Sequence, residues 1–229
     1  MITLNDLLKV PEQERKFSWD EKFFKLFSET TVRLLSKDPQ QGPDGWPYLV
    51  CETQQNSSSS DQVKNYENDD IESTQKIFQW LAEKGIGLIV NPRREPYPDY
   101  VFSYGMIWNF RQTGYFIQPN DENKTEQKAT EIIYDNKKIS CGPPSVEYLP
   151  NHARKILKDF FRDQSVLNPK ILMISQDKKS YDLCFSLESL GNPIASEHAG
   201  VAEAIAWFLP THYSIVLISE SGLPEFLSL

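Results

Sequence analysis

Along the chain, apolar residues recur at helical spacing in some stretches and alternate or cluster at strand spacing in others, with polar and proline-glycine breaks between. Trp19, Phe23, Leu26, Phe27 and Leu34 line one face of a helix predicted from Ser18 to Ser36, with Ser18 as cap and Glu21 as its capping-box partner. The run DPQQGPDGWPYLVCET ends that helix and turns into a short strand around Tyr48 to Glu52. Residues 53–70 are polar, with four consecutive serines, and bury too little to offset their ordering entropy, so a mobile loop is expected there. In IESTQKIFQWLAEKGIGLIVNP, Ser73, Ile77, Trp80, Leu81 and Lys84 share a helical face, Gly85 stops the helix, and IGLIV reads as a buried strand.

The aromatic run YPDYVFSYGMIWNF, residues 97–110, is expected to supply one or two strands, bent or separated at Gly105. Alternation then places Tyr100, Phe102 and Tyr104 on one face. These rings, with Trp108, form either the centre of a sheet or a protein-binding surface; a nucleobase-stacking platform is disfavoured by the scarcity of nearby cations. A strand is expected at Gly114 to Gln118, a loop or short helix at Pro119 to Lys128, and a hairpin in TEIIYDNKKISC. The break CGPPS marks the expected domain boundary.

Beyond it, Leu149, Ala153, Ile156, Leu157 and Phe160 share a helical stripe with Pro150 in the first turn. Lys170 to Gln176 and Tyr181 to Glu188 read as strands, Ser196 as the cap of a helix through Leu209, HYSIVLISE as a strand and LPEFL as a terminal helix. The fold class is therefore α+β, in two domains (1–142 and 143–229), each with helices packed on a mostly antiparallel sheet. KIFQWL, GLIV and PDYVFSY in the first half and KILKDFF, ILMIS and SYDLCFSL in the second repeat one helix-strand-strand order.

Composition adds limits. At 229 residues, with 39% hydrophobic positions and a net charge of −8, the chain can form packed cores and disfavours phosphate backbones and anionic lipid surfaces. No run approaches the roughly 20 apolar residues of a membrane span, and the amino terminus has no secretory pattern. Three scattered cysteines, Cys51, Cys141 and Cys184, suggest neither a disulfide framework nor a zinc site, which places the chain in a reducing cytoplasm.

Phosphate loops, nucleophile elbows and HExxH zinc motifs are absent. Cys141 and His152 would make a nucleophile and base only if brought within hydrogen-bond reach, and His198 with Glu197 and Glu203 would hold a metal only with ligands from elsewhere. Glu188, Glu197 and Glu203 surround SLESLGNPIASEH, whose Gly191, Asn192 and Pro193 shape a defined turn. No catalytic, cofactor or metal residues are assigned. The candidate interaction surface comprises Tyr100, Phe102, Tyr104, Trp108, Asn192, Glu197 and His198.

From Pro143 to Leu229 the order PPSVEYLPNHARKILKDFF, PKILMIS, YDLCFSL, HAGVAEAIAWFLP and YSIVLISESGLPEFL resembles the C-terminal domain of the bacterial enhanced-serine-sensitivity (SseB-like) family. The resemblance implies a bacterial cytoplasmic protein and carries no catalytic residues. The expectation is a non-enzymatic interaction or regulatory protein whose partner is another protein. The alternative is a small-molecule-binding protein or enzyme with a cleft between its domains, using Cys141, His152, Glu197 and His198.

Overall fold

The computed structural model describes residues 2–53, 71–93, 97–116, 139–175 and 180–229. It is of the α+β class, with helices and two mixed sheets. The chain divides into two units at Glu122/Asn123. The division does not follow Gly142, because the strand Ser140–Gly142 pairs with Met173 to Ser175 and so belongs to the second unit.

In the first unit, helix α1 (Leu4–Leu8) opens on a complete capping box between Thr3 and Asp6. Helix α2 spans Phe17–Ser28 and begins at Lys16 with no side-chain cap, so Ser18 lies inside it. It stops well short of Ser36. The β-branched run Thr30, Thr31 and Val32 disfavours helix, and strand β1 (Thr31–Leu34) forms instead. The freed carbonyls at the helix end are not wasted: Thr74 Oγ1 donates to Phe27 O at 2.7 Å and to Thr30 O at 3.1 Å.

Strands β2 (Gln40–Gln41), β3 (Pro47–Thr53), β4 (Ile71–Ser73), β5 (Gly87–Val90) and β6 (Tyr100–Phe102) complete a sheet of order β4-β1-β3-β5-β6, with β2 beside β3. Only β3 and β5 run parallel in this sheet as described; the other pairs are antiparallel. Helix α3 (Thr74–Leu81) is capped by Ser73 and buries Ile77, Phe78 and Leu81, leaving Trp80 exposed. Gly87 is fixed by close approach: a Cβ there would lie 2.6 Å from the Tyr48 ring.

The aromatic run becomes a strand and then a helix. After β6, Ser103 Oγ accepts from Met106 N and starts α4 (Tyr104–Thr113), which ends at Gly114 with φ 78°. Gly105 therefore lies within a helix and bends no strand. Tyr104, Ile107 and Trp108, spaced i, i+3 and i+4, are all buried. Around β6, Phe23, Phe27, Phe78 and Phe102 form a continuous aromatic core with centroid separations of 5.2 to 6.1 Å.

The second unit contains β7 (Ser140–Gly142), α5 (Asn151–Asp163), β8 (Lys170–Ser175), β9 (Asp182–Ser186), a 3-10 turn Ala195–Glu197, α6 (His198–Trp207), β10 (Ser214–Ile218) and β11 (Leu227–Ser228). Sheet order is β10-β9-β8-β11, with β7 also on β8, and β9 and β10 are parallel. Ser196 falls in the 3-10 turn and caps nothing. The expected terminal helix is absent. Five residues containing Pro224 cannot sustain a costly helical nucleus, whereas Leu227 and Ser228 gain a ladder on Ile171 and Lys170 and let Phe226 and Leu229 become buried.

Phe161 of α5 lies near Phe185, and Phe160 near Phe208, on one side of this sheet. A second cluster joins Leu172, Ile174, Cys184 and Phe226, flanked by half-buried Ile139, Cys141, Val216, Ile218 and Leu223. The repeated order seen in the sequence survives as α3-β5-β6-α4 in one unit and α5-β8-β9-α6 in the other, each around an antiparallel strand pair. The hairpin expected in TEIIYDNKKISC, the loop at 53–70 and the segment 117–128 fall largely outside the described residues.

Candidate ligand pocket on the first unit

Phe17, Asp20, Glu21, Phe24, Lys25, Ser28 and Glu29 recur at three- and four-residue intervals, so they form one stripe along α2. It lies beside the line of Trp19, Phe23 and Phe27 that packs into the core. Opposite the stripe stand Phe110 at the end of α4 and the turn Gly114 to Phe116, and between them opens a cavity of about 380 Å³. That volume lies at the small end of ligand pockets, roughly 300 to 1,000 Å³.

Several bonds fix the far wall. Gly114 takes the left-handed conformation that allows α4 to stop. Asn109 Nδ2 donates to Tyr115 O at 2.7 Å, and Tyr115 N donates to Thr113 Oγ1 at 3.1 Å. The floor is aromatic: Phe116 stacks on Phe110 with centroids 4.2 Å apart and lies 5.0 Å from Phe24. Tyr115 stays 55% exposed at the mouth.

Carboxylates dominate the polar part of the lining: Asp20, Glu21 and Glu29 against Lys25. Burial pushes the Asp20 carboxyl above the ordinary aspartate value, and the Arg15 guanidinium pulls the other way without cancelling it. Arg15 is itself engaged: Nη1 donates to Asp99 O at 2.7 Å, and its guanidinium lies 4.3 Å from the Trp19 ring centroid. An aromatic floor under an acidic rim can hold a group that is apolar along its length and polar at its end.

The aromatic residues singled out from sequence lie elsewhere. Phe102 and Tyr104 are 0% exposed and Trp108 is 1% exposed, so these three belong to the core and offer no docking face. Tyr104 also donates its hydroxyl to Ala82 O at 2.9 Å. Tyr100 is half-buried, 4.9 Å from Phe23 and edge-on to Phe24, and burial raises its phenol. The reason is topological: α2, α3 and Phe116 cover Phe102, α2 packs on Tyr100, and Tyr104 and Trp108 lie on the buried face of α4 instead of continuing the strand.

On the second unit, Asn192 is exposed in a left-handed turn, Glu197 ends the 3-10 turn, and His198 Nε2 sits 3.0 Å from Pro193 O. The structure brings no cluster of three or more metal-ligating side chains together among the described residues. Cys141 lies in strand β7 with its thiol pushed up by burial, and Cys184 is pushed up to about 12 by burial and then by Asp182. Both thiols stay protonated at neutral pH, unlike activated nucleophiles.

Two polar clusters mark the carboxyl ends of the parallel strand pairs. In the first unit, Asn91 Nδ2 donates to Asp99 Oδ2 at 2.8 Å and to Thr53 Oγ1 at 3.1 Å, while Thr53 N donates to Asn91 Oδ1 at 2.9 Å. In the second, Glu188 accepts from Ser219 Oγ and from Glu220 N, and these bonds, with Ser219 foremost, hold its carboxyl below the usual glutamate value. Ser186 and Lys170 both donate to Glu220. Internal hydrogen bonding gives both clusters a ready structural role, fastening strand ends to the loops that leave them.

Sequence reading missed the pocket. The available signal was that α2 carries more aromatic residues than one buried line needs, with Phe17 and Phe24 flanked by acids. Among the described residues no helix is long and apolar enough to cross a membrane. No family model, no curated protein and no solved structure matches this chain.

Proposed function

We propose that this chain is a non-enzymatic interaction protein and that its first unit holds an anchor side chain of a partner protein in the pocket between α2 and the end of α4. The observation that carries this reading is an open cavity of about 380 Å³ with an aromatic floor and Tyr115 exposed at its mouth. Deep aromatic pockets with a polar rim are where partner anchors concentrate binding energy. The resemblance of Pro143 to Leu229 to the enhanced-serine-sensitivity family supports the same reading and a bacterial cytoplasmic setting.

Panning a random peptide library against the full chain, with Tyr115→Ala as counter-target, tests it. Tyr115 is largely exposed, so the variant keeps its fold. Enriched peptides should share one anchor position and lose most of their binding to the variant. Peptides that bind both proteins equally, or no enrichment at all, would overturn the reading.

A further inference from the structure

We infer that the anchor entering this pocket is a basic side chain, the guanidinium or ammonium end of a basic segment of the partner. This rests on the pocket being a partner site and adds the chemistry that it selects. Three features of the cavity point to the same chemistry.

The first is charge. Asp20, Glu21 and Glu29 outnumber Lys25 along the α2 wall, so a cation entering the mouth meets net negative charge, whereas a carboxylate would be repelled. The second is the floor. Half-buried Phe17 and Phe110 and exposed Tyr115 line the cavity together with the deeply buried Phe24 and Phe116, and accessible aromatic rings attract cations while accepting the methylene stem of lysine or arginine. A purely apolar anchor would use the floor but leave the acids unanswered; a small inorganic cation would use the acids but not the floor.

The third is the state of Asp20. Its carboxyl is partly desolvated, and Arg15, the cation that acts on it, is committed to Asp99 and Trp19. An incoming cation supplies the compensation that the folded chain withholds. A charged site that costs stability in the free protein and is relieved by a ligand is the pattern expected of a binding residue.

Four blocked pentapeptides, differing only in a central arginine, citrulline, leucine or glutamate flanked by glycines, distinguish the possibilities. They would be titrated at low salt into the isotopically labelled full chain, with NMR shifts followed residue by residue. The arginine peptide should perturb residues 17–29 and 110–116 and bind about tenfold more tightly than the citrulline peptide, the worth of one charge-assisted contact. Asp20→Asn should remove most of that preference while leaving the leucine peptide unaffected, and circular dichroism would verify its fold. Citrulline or leucine binding as tightly as arginine would overturn the basic anchor yet leave the partner reading to the panning experiment. Arginine-induced shifts scattered over the acidic surface, an unchanged preference in Asp20→Asn, or no shift with any peptide would also overturn it.

Discussion

Asp20 is the residue on which stability and binding diverge. Its folded pKa lies above its ordinary value of 3.8, with desolvation as the cause and with Arg15 and Tyr100 as the groups that face it. The protonated form is therefore the one the fold prefers. The favourable contribution is complete below the unfolded pKa and is lost as pH rises through the folded pKa. At neutral pH the ionised carboxylate is a net cost, so Asp20→Asn should modestly stabilise the free chain, the gain being limited by the solvent that screens a half-exposed group. Urea midpoints would show the gain at neutral pH and its disappearance in acid below the ordinary aspartate range. A destabilised variant at neutral pH would contradict this account of the residue.

Among the elements, α4 decides how the first unit should be understood. Its start rests on Ser103 Oγ accepting from Met106 N and its end on Gly114, so Ser103→Ala should cost about 1 kcal/mol of stability, read as a lower urea midpoint. An unchanged midpoint would mean that packing alone holds the helix. The helix was partly legible: Ser103 and Gly114 are good boundary residues, and Tyr104, Ile107 and Trp108 have helical spacing. Alternation through Tyr100, Phe102 and Tyr104 masked them, because a strand feeding directly into a helix leaves one aromatic run with two periods. The α2 boundary failed for the opposite reason. Leu34 extends the apparent helical face, yet the β-branched residues before it belong to β1. Strands β3, β5, β8, β9 and β10 were readable because short β-prone runs bounded by turn residues have few alternatives. Strand β11 was not, since two residues carry no period and gain their conformation from β8. The pocket needed two segments far apart in sequence to meet, which no local pattern records.

On the scale of the whole molecule, each unit has its own sheet and its own buried cluster. The dividing point has a consequence for fragments. Residues 123–229 include β7 and with it Cys141, which pairs with Ile174 and packs against the Leu172 and Cys184 cluster; residues 143–229 lack both. The longer fragment should unfold cooperatively, and the shorter should lose several kelvin of melting temperature or expose apolar surface to a hydrophobic dye. Equal melting of the two fragments would show β7 to be dispensable. The acidic balance of the chain, −8 overall, extends the charge of the pocket rim to the molecule at large and favours encounter with basic partners.

On the proposed reading, partner binding takes place between α2 and the end of α4. Its most direct test is an NMR map of the full chain titrated with a peptide recovered by panning. Shifts should concentrate at residues 17–29 and 110–116 and be abolished by Tyr115→Ala. Shifts centred instead on Asn192 to His198, or a map unchanged by Tyr115→Ala, would contradict it.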